Sequence, residues 1–139
     1  MIRLAQAADA FGISRLLTQL EYPGTESFVA SRLATLLADP AETFLVWAEG
    51  EQILAFLSLH FIPQIAVKGD FARISYFAVD ETVRSHGIGA QLEAEATRLA
   101  KEKGCALLEV HCHTRRTRAH EFYARQGYEE SPKYLIKRL

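Results

Sequence analysis

A chain of 139 residues, 49% apolar and 24% charged, is expected to form one globular domain and excludes disordered and low-complexity classes. Sixteen Lys and Arg stand against 17 Asp and Glu, so no nucleic-acid partner is expected at a net charge of −1. The longest charge-free apolar stretch, 53–67, has 15 residues, short of the ~20 that a membrane span needs, so no membrane partner is expected either.

The first six residues lack a charged region followed by an apolar core, which argues against a signal peptide. Cys105 and Cys112 form no CxxC pair, and the expectation is two reduced, apolar thiols in a cytoplasmic protein. In chain order, residues 2–4 read as an edge strand. Residues 7–20 carry Phe11, Ile13, Leu16, Leu17 and Leu20 at helical spacing, and Pro23-Gly24 breaks that helix. Thr25 opens a second helix with Phe28, Val29, Leu33, Leu36 and Leu37 inward, ended by Asp39-Pro40. Strands follow at 43–48 and 53–61 around the turn 49–52, then another at 71–79. A polar, glycine-punctuated loop at 80–89 leads into a helix over 88–103, stopped by Gly104. A strand at 105–111, a helix at 115–126 burying Ala119, Phe122 and Tyr123, and short strands at 128–130 and 133–139 complete the order β-α-α-β-β-β-α-β-α-β-β. Hairpins in the first half predict antiparallel pairing, and the strand-helix-strand unit predicts parallel pairing. The fold class is mixed α/β on one sheet.

The segment Arg84-Ser85-His86-Gly87-Ile88-Gly89-Ala90 lies between a strand and a helix. The first amides of a helix lack internal partners, the dipole is positive there, and glycine lets an anion approach the backbone. A pyrophosphate-binding loop is the physical expectation, although such glycines also serve turns alone. Neither GxxxxGK[ST] nor GxGxxG is present.

The run from Val79 through Gly87-Ile88-Gly89 to Leu92 resembles the acetyl-CoA signature of the GCN5-related N-acetyltransferases (GNAT). The later run Ala119-His120-Glu121-Phe122-Tyr123 to Gly127-Tyr128 resembles that family's AxxFYxxxG[FY] segment. The resemblance implies a GNAT fold: a single mixed, mostly antiparallel sheet whose fourth and fifth strands splay to admit pantetheine. It implies acetyl-CoA as cosubstrate, with the backbone of Phe77, Ala78 and Val79 along the pantetheine arm. The Val79 amide would donate to the thioester oxygen, and the amides of residues 84–90 would hold the pyrophosphate. Arg84 would add charge or fix the loop. Tyr123 matches the family's usual general acid for the departing thiolate; read without the resemblance, it is core.

Two positions depart from the family pattern. Arg116 stands where Asn is frequent, and it reaches CoA phosphates or points to solvent. Arg73, Ser75 and Tyr76 occupy the strand region where many members place a glutamate base. Glu21, Glu26, His111, His113 and bulk water are the alternatives for accepting the amine's proton. His111 and His113 share a strand face, and His60 could join them, but no spacing fixes a metal site and no metal is expected. Arg115, Arg116 and Arg118 read as a solvated helix start, or as partners of a CoA phosphate. The acids and aromatic of Glu21, Tyr22 and Glu26, with Tyr76 and His111, suit a cationic acceptor, or else form ordinary loop and strand surface.

The resulting expectation is an N-acetyltransferase acting on the primary amine of a small molecule by direct transfer. Two alternatives stand beside it: acetylation of a protein N-terminus or lysine, and a non-catalytic acetyl-CoA sensor. Members of the family often dimerise, so a homodimer through a free strand edge is a further expectation.

Overall fold

Side chains on an extended strand alternate between faces, and the long apolar strands of this chain use both. In the computed structural model, which describes residues 1–131 and 134–139, strands β1 (Ile2–Leu4), β2 (Glu42–Glu49), β3 (Gln52–Ile62), β4 (Phe71–Val79) and β5 (Leu107–Val110) form one sheet in chain order. The first three pairings are antiparallel and β4–β5 is parallel. Helices α1 (Ala10–Gln19) and α2 (Val29–Ala38) cover one face. There Ile13, Leu16, Leu20, Val29 and Leu33 meet Phe44, Val46, Phe56 and Ala78. Helix α3 (Ile88–Glu102) covers the other, with Ile88, Leu92 and Ala96 against Leu57, Leu59, Ala72 and Ile74. Helix α4 (Thr117–Arg125) follows β5. No helix among the described residues is long and apolar enough to cross a membrane.

Two local features shape the molecule. Helix α1 lies so close to β3 that a Cβ on Gly12 would sit 2.9 Å from Ile53 Cγ1. On β4, Ser58 of β3 pairs with Tyr76 and the next residue, Leu59, pairs with Ile74. Ser75 is therefore a bulged residue, and a bulge bends its strand and raises its twist. The parallel pairing with β5 spans Phe71 to Ile74 and ends there. Beyond Ile74, β4 keeps β3 on one side and has no strand partner on the other among the described residues, which is the splay expected of the fourth and fifth strands.

Several expectations need correction. Residues 128–131 and 134–139 form no strand, and Pro132 and Lys133 of the predicted final pair lie outside the described residues. A paired strand buries alternate side chains, whereas Leu135 is 92% and Ile136 62% exposed. Phe11, Phe28 and Leu37, read as inward-facing, are exposed: Phe11 stands about 200° round α1 from the buried Ile13, Phe28 precedes α2, and Leu37 lies in its last turn. Helix α4 buries none of its residues fully; Phe122 and Tyr123 are half-buried over the splay rather than inside a core.

Candidate active site

The free side of β4 is set by strand alternation. The Asp80 amide donates to Leu54 O on the β3 side at 2.8 Å. The amides and carbonyls of Val79 and Phe77 consequently face the opposite side, where β5 has departed. Arg84 Nε reaches the Val79 carbonyl from that side at 3.4 Å. The Ala78 amide faces β3, with its buried side chain under α1 and α2.

Asp80 anchors the turn that follows. Its carboxylate accepts from the Thr82 amide and hydroxyl at 2.9 and 2.8 Å and from Arg15 Nη1 at 2.5 Å. Burial alone would push its pKa up. The Thr82 and Arg15 bonds outweigh burial and bring it down to about 2. Ser85 (φ 71°) and Gly87 (φ 80°) then adopt left-handed backbone. Such reversals turn successive amides to one side, a nest for anions. The first intrahelical bond here is Gln91 N to Gly87 O at 3.1 Å, so the Ile88, Gly89 and Ala90 amides open the helix without internal acceptors. The side chains of Arg84, Ser85 and His86 are exposed. A Cβ on Gly89 would stand 3.4 Å from the Phe122 ring and 3.5 Å from Val79 Cγ2, so this helix start lies against both the free strand and α4. These features fit a pyrophosphate-bearing cofactor.

Four aromatic rings wall the splay. Tyr123 packs edge-on against Phe77, Phe122 and Tyr128 at 6.4, 5.3 and 5.3 Å between centroids. Tyr128 is held by its hydroxyl, which donates to the buried Glu93 at 3.1 Å, and Thr97 donates to the same oxygen at 2.7 Å. Burial pushes the Tyr123 phenol well above its ordinary value, with the nearby Cys112 adding to the rise and Arg116 opposing it. The phenol is therefore protonated at neutral pH. Burial also raises both thiols, Cys105 and Cys112, which leaves neither activated as a nucleophile.

Tyr123 lines a small cleft with Tyr22, Ser75, Tyr76, Phe77, His111 and Arg116. The structure thus gathers Tyr22, Tyr76, His111, Arg116 and Tyr123 from four separate segments. Tyr22 and Tyr76 touch edge-on at 5.4 Å, and His111 stacks on Tyr134 at 4.4 Å. Glu21 and Glu26 do not line this cleft. Glu21 instead pairs with Arg115 at 2.9 Å, tying the α1–α2 turn to the start of α4, and Glu26 is exposed. His113 turns to its own loop, where Nδ1 accepts from the Arg115 amide at 3.1 Å. Among the described residues no cluster of metal ligands forms, and His60 lies away from His111 and His113.

Tyr22, Ser75 and Tyr76 also line a second, larger cavity between α1, α2 and the sheet. Its polar residues include Glu42, Ser58 and His60. The sequence reading missed Glu42 and Ser58 and weighed His60 only as a metal ligand. The available signal was Phe56-Leu57-Ser58-Leu59-His60, two polar residues on one face of an otherwise apolar strand.

Residues 8–128 match the acetyltransferase (GNAT) family. The chain is 30% identical over 106 residues to an aminoalkylphosphonate N-acetyltransferase of Salmonella typhimurium, an alignment covering 76% of this chain and 69% of that protein. Its fold is similar to a transcriptional regulator from Bacillus halodurans (TM-score 0.93, 24% identity, 100% of this chain and 99% of the other). It is also similar to an aminoglycoside acetyltransferase from an uncultured soil metagenomic sample (TM-score 0.87, 21% identity, 100% and 95%).

Proposed function

The chain belongs to the acetyltransferase (GNAT) family, and on that premise we propose that it moves an acetyl group from acetyl-CoA directly to the primary amine of a small molecule. The observation that carries this reading is the free side of β4: the outward amides of Phe77 and Val79 stand beside Tyr123, next to an anion-binding helix start. Acetyl-CoA supplies the activated thioester. The amides of residues 84–90 would hold its pyrophosphate, and those of Phe77 and Val79 would receive the pantetheine arm. The Val79 N–H donates to the carbonyl oxygen as negative charge builds on it, an effect worth about 3 kcal/mol where such a donor has been removed in other enzymes. The amine attacks as the free base; Tyr123, kept protonated by burial, gives its Oη proton to the leaving sulfur, and the proton shed by the attacking nitrogen returns to the phenolate, so that amide and free thiol leave together. Both thiols being pushed up supports direct transfer over an acetylated cysteine. A small-molecule acceptor is supported by the relative named for aminoalkylphosphonates and by an open cavity between helices and sheet.

The test is incubation with acetyl-CoA and a panel of primary amines, reading thiol release and acetylated product by mass spectrometry. Release coupled to an acetylated small amine is the expected result. Acetyl-CoA binding without turnover on any amine would replace this reading by a sensor. Acetylation confined to peptide N-termini or lysines would move it to protein substrates.

A further inference from the structure

A polar row crosses the sheet on the face under α1 and α2. Glu42 of β2, His60 of β3, Arg73 of β4 and Glu109 of β5 are successive cross-strand neighbours. The row divides into two pairs. Arg73 and Glu109 meet at 2.6 Å and neutralise each other. Glu42 is different. Its side chain is 3% exposed, Oε2 lies 2.8 Å from His60 Nδ1, and Oε1 accepts from the Ser58 hydroxyl at 2.5 Å. Among the described residues no Lys or Arg bonds it. Its partners are a hydroxyl and an imidazole at the wall of a largely apolar cavity, and neither is a fixed cation.

A buried carboxylate without a cation is costly, and a cavity open to a ligand lets the ligand supply the cation. The other walls include Leu33, Leu36, Phe44 and Phe56, which suit methylene groups rather than charges. Arg32, exposed on α2, is the remaining charged side chain at the cavity. Position decides which cation it is. From the row containing Phe56 and Ala78, the cavity passes Ser58 and Tyr76 before reaching His60 and Arg73. At about 3.4 Å per residue the Glu42–His60 pair stands about 13 Å from the Ala78 row, too far to touch an amine reacting beside Val79.

The geometry points to Glu42 and His60 as the recognition site for a second, non-reacting ammonium of the acceptor. This deepens the acetyl-transfer reading and rests on it: the acceptor is a diamine with an apolar chain, one nitrogen at the splay and the other at Glu42. Its test compares 1,10-diaminodecane, whose nitrogens stand about 14 Å apart when extended at about 1.25 Å per bond, with decylamine in wild type and in Glu42→Gln, which keeps the size of the side chain and removes the charge. The expected result is a preference of wild type for the diamine, lost in the variant through a KM at least about tenfold higher, with decylamine kinetics unchanged. Calorimetric titration with 1,10-diaminodecane reads the site without turnover, and a melting curve verifies folding. His60→Asn serves as the second variant should Glu42→Gln not fold. Equal use of both amines, or an unaltered KM for the diamine, overturns the inference and leaves acetyl transfer standing. Diamine binding that is lost in the variant while no amine is ever acetylated keeps the site and overturns the acetyl-transfer reading.

Discussion

Arg15 of α1 reaches over the end of β3 to Asp80, with Nη1 2.5 Å from the carboxylate and Nη2 donating to the Ile53 carbonyl at 2.7 Å. One guanidinium thereby joins the first helix, the start of β3 and the turn that delivers the glycine loop. The carboxylate is 3% exposed, so its bonds are little screened by solvent.

Asp80 sets an acid limb of stability. Its folded pKa, about 2, lies below the ordinary aspartate value of 3.8. The stabilisation is fully present above pH 4 and is lost as pH falls from about 4 to about 2, amounting to about 2 kcal/mol. Asp80→Asn should remove that component of the acid limb and lower stability at pH 7 by about 2 kcal/mol. Urea unfolding of both proteins across this range checks it, and parallel acid limbs would show that other carboxylates dominate.

Gly87 and Ser85 share left-handed backbone but should respond oppositely. Gly87→Ala places a Cβ at φ 80°, costing about 1 kcal/mol by chirality although space is open around it. Refolding of the nest should weaken acetyl-CoA binding about tenfold. Ser85→Gly relieves the same strain at φ 71° and leaves the amides in place, so acetyl-CoA affinity should hold. Titration calorimetry on the two variants separates a backbone role from a side-chain role of Ser85.

At Gly12 two effects compete. Alanine is the better helix former by about 1 kcal/mol. Its Cβ, however, would sit 2.9 Å from Cγ1 and 3.0 Å from Cβ of Ile53, a buried, branched side chain with little room to shift. Overpacking of this kind costs about 1–3 kcal/mol, and it should win. Gly12→Ala is expected to lower the melting temperature; a rise would mean that α1 moves off the sheet without penalty.

Tyr123→Phe keeps the ring that packs on Phe77, Phe122 and Tyr128 and removes only the hydroxyl. Stability and acetyl-CoA affinity should change little. With the acetylated amine as readout, kcat should fall by ~10²–10⁴. An undiminished kcat would take the acid role away from Tyr123.

Much of this architecture was written in local patterns. The β4 bounds, 71–79, and the start of α3 at Ile88 follow from an apolar run meeting a glycine-punctuated loop. The gathering of Tyr22, Tyr76, His111 and Tyr123 followed from family resemblance, since no spacing brings those segments together. What could not be read was cross-strand register. Glu42 and His60 become partners only when β2 and β3 pair with those two residues opposite, and a shift of one residue would send one of them to the other face. The end of the chain misled for a related reason. Residues 134–139 open on the apolar run Tyr134-Leu135-Ile136, which suits a strand, but an apolar run does not supply the neighbour against which a strand must pair.

The bulge at Ser75 has one more effect. An unpaired strand edge invites association with another chain, and proteins shield such edges by brevity, twist or cover. Here the open edge runs only from Ser75 to the end of β4, the bulge twists it out of line with β5, and the α4 aromatics stand beside it. The chain can keep the outward amides of Phe77 and Val79 permanently ready for hydrogen bonding without offering a register long enough for a second molecule to zip onto, so readiness for a slender ligand and resistance to aggregation come from the same inserted residue.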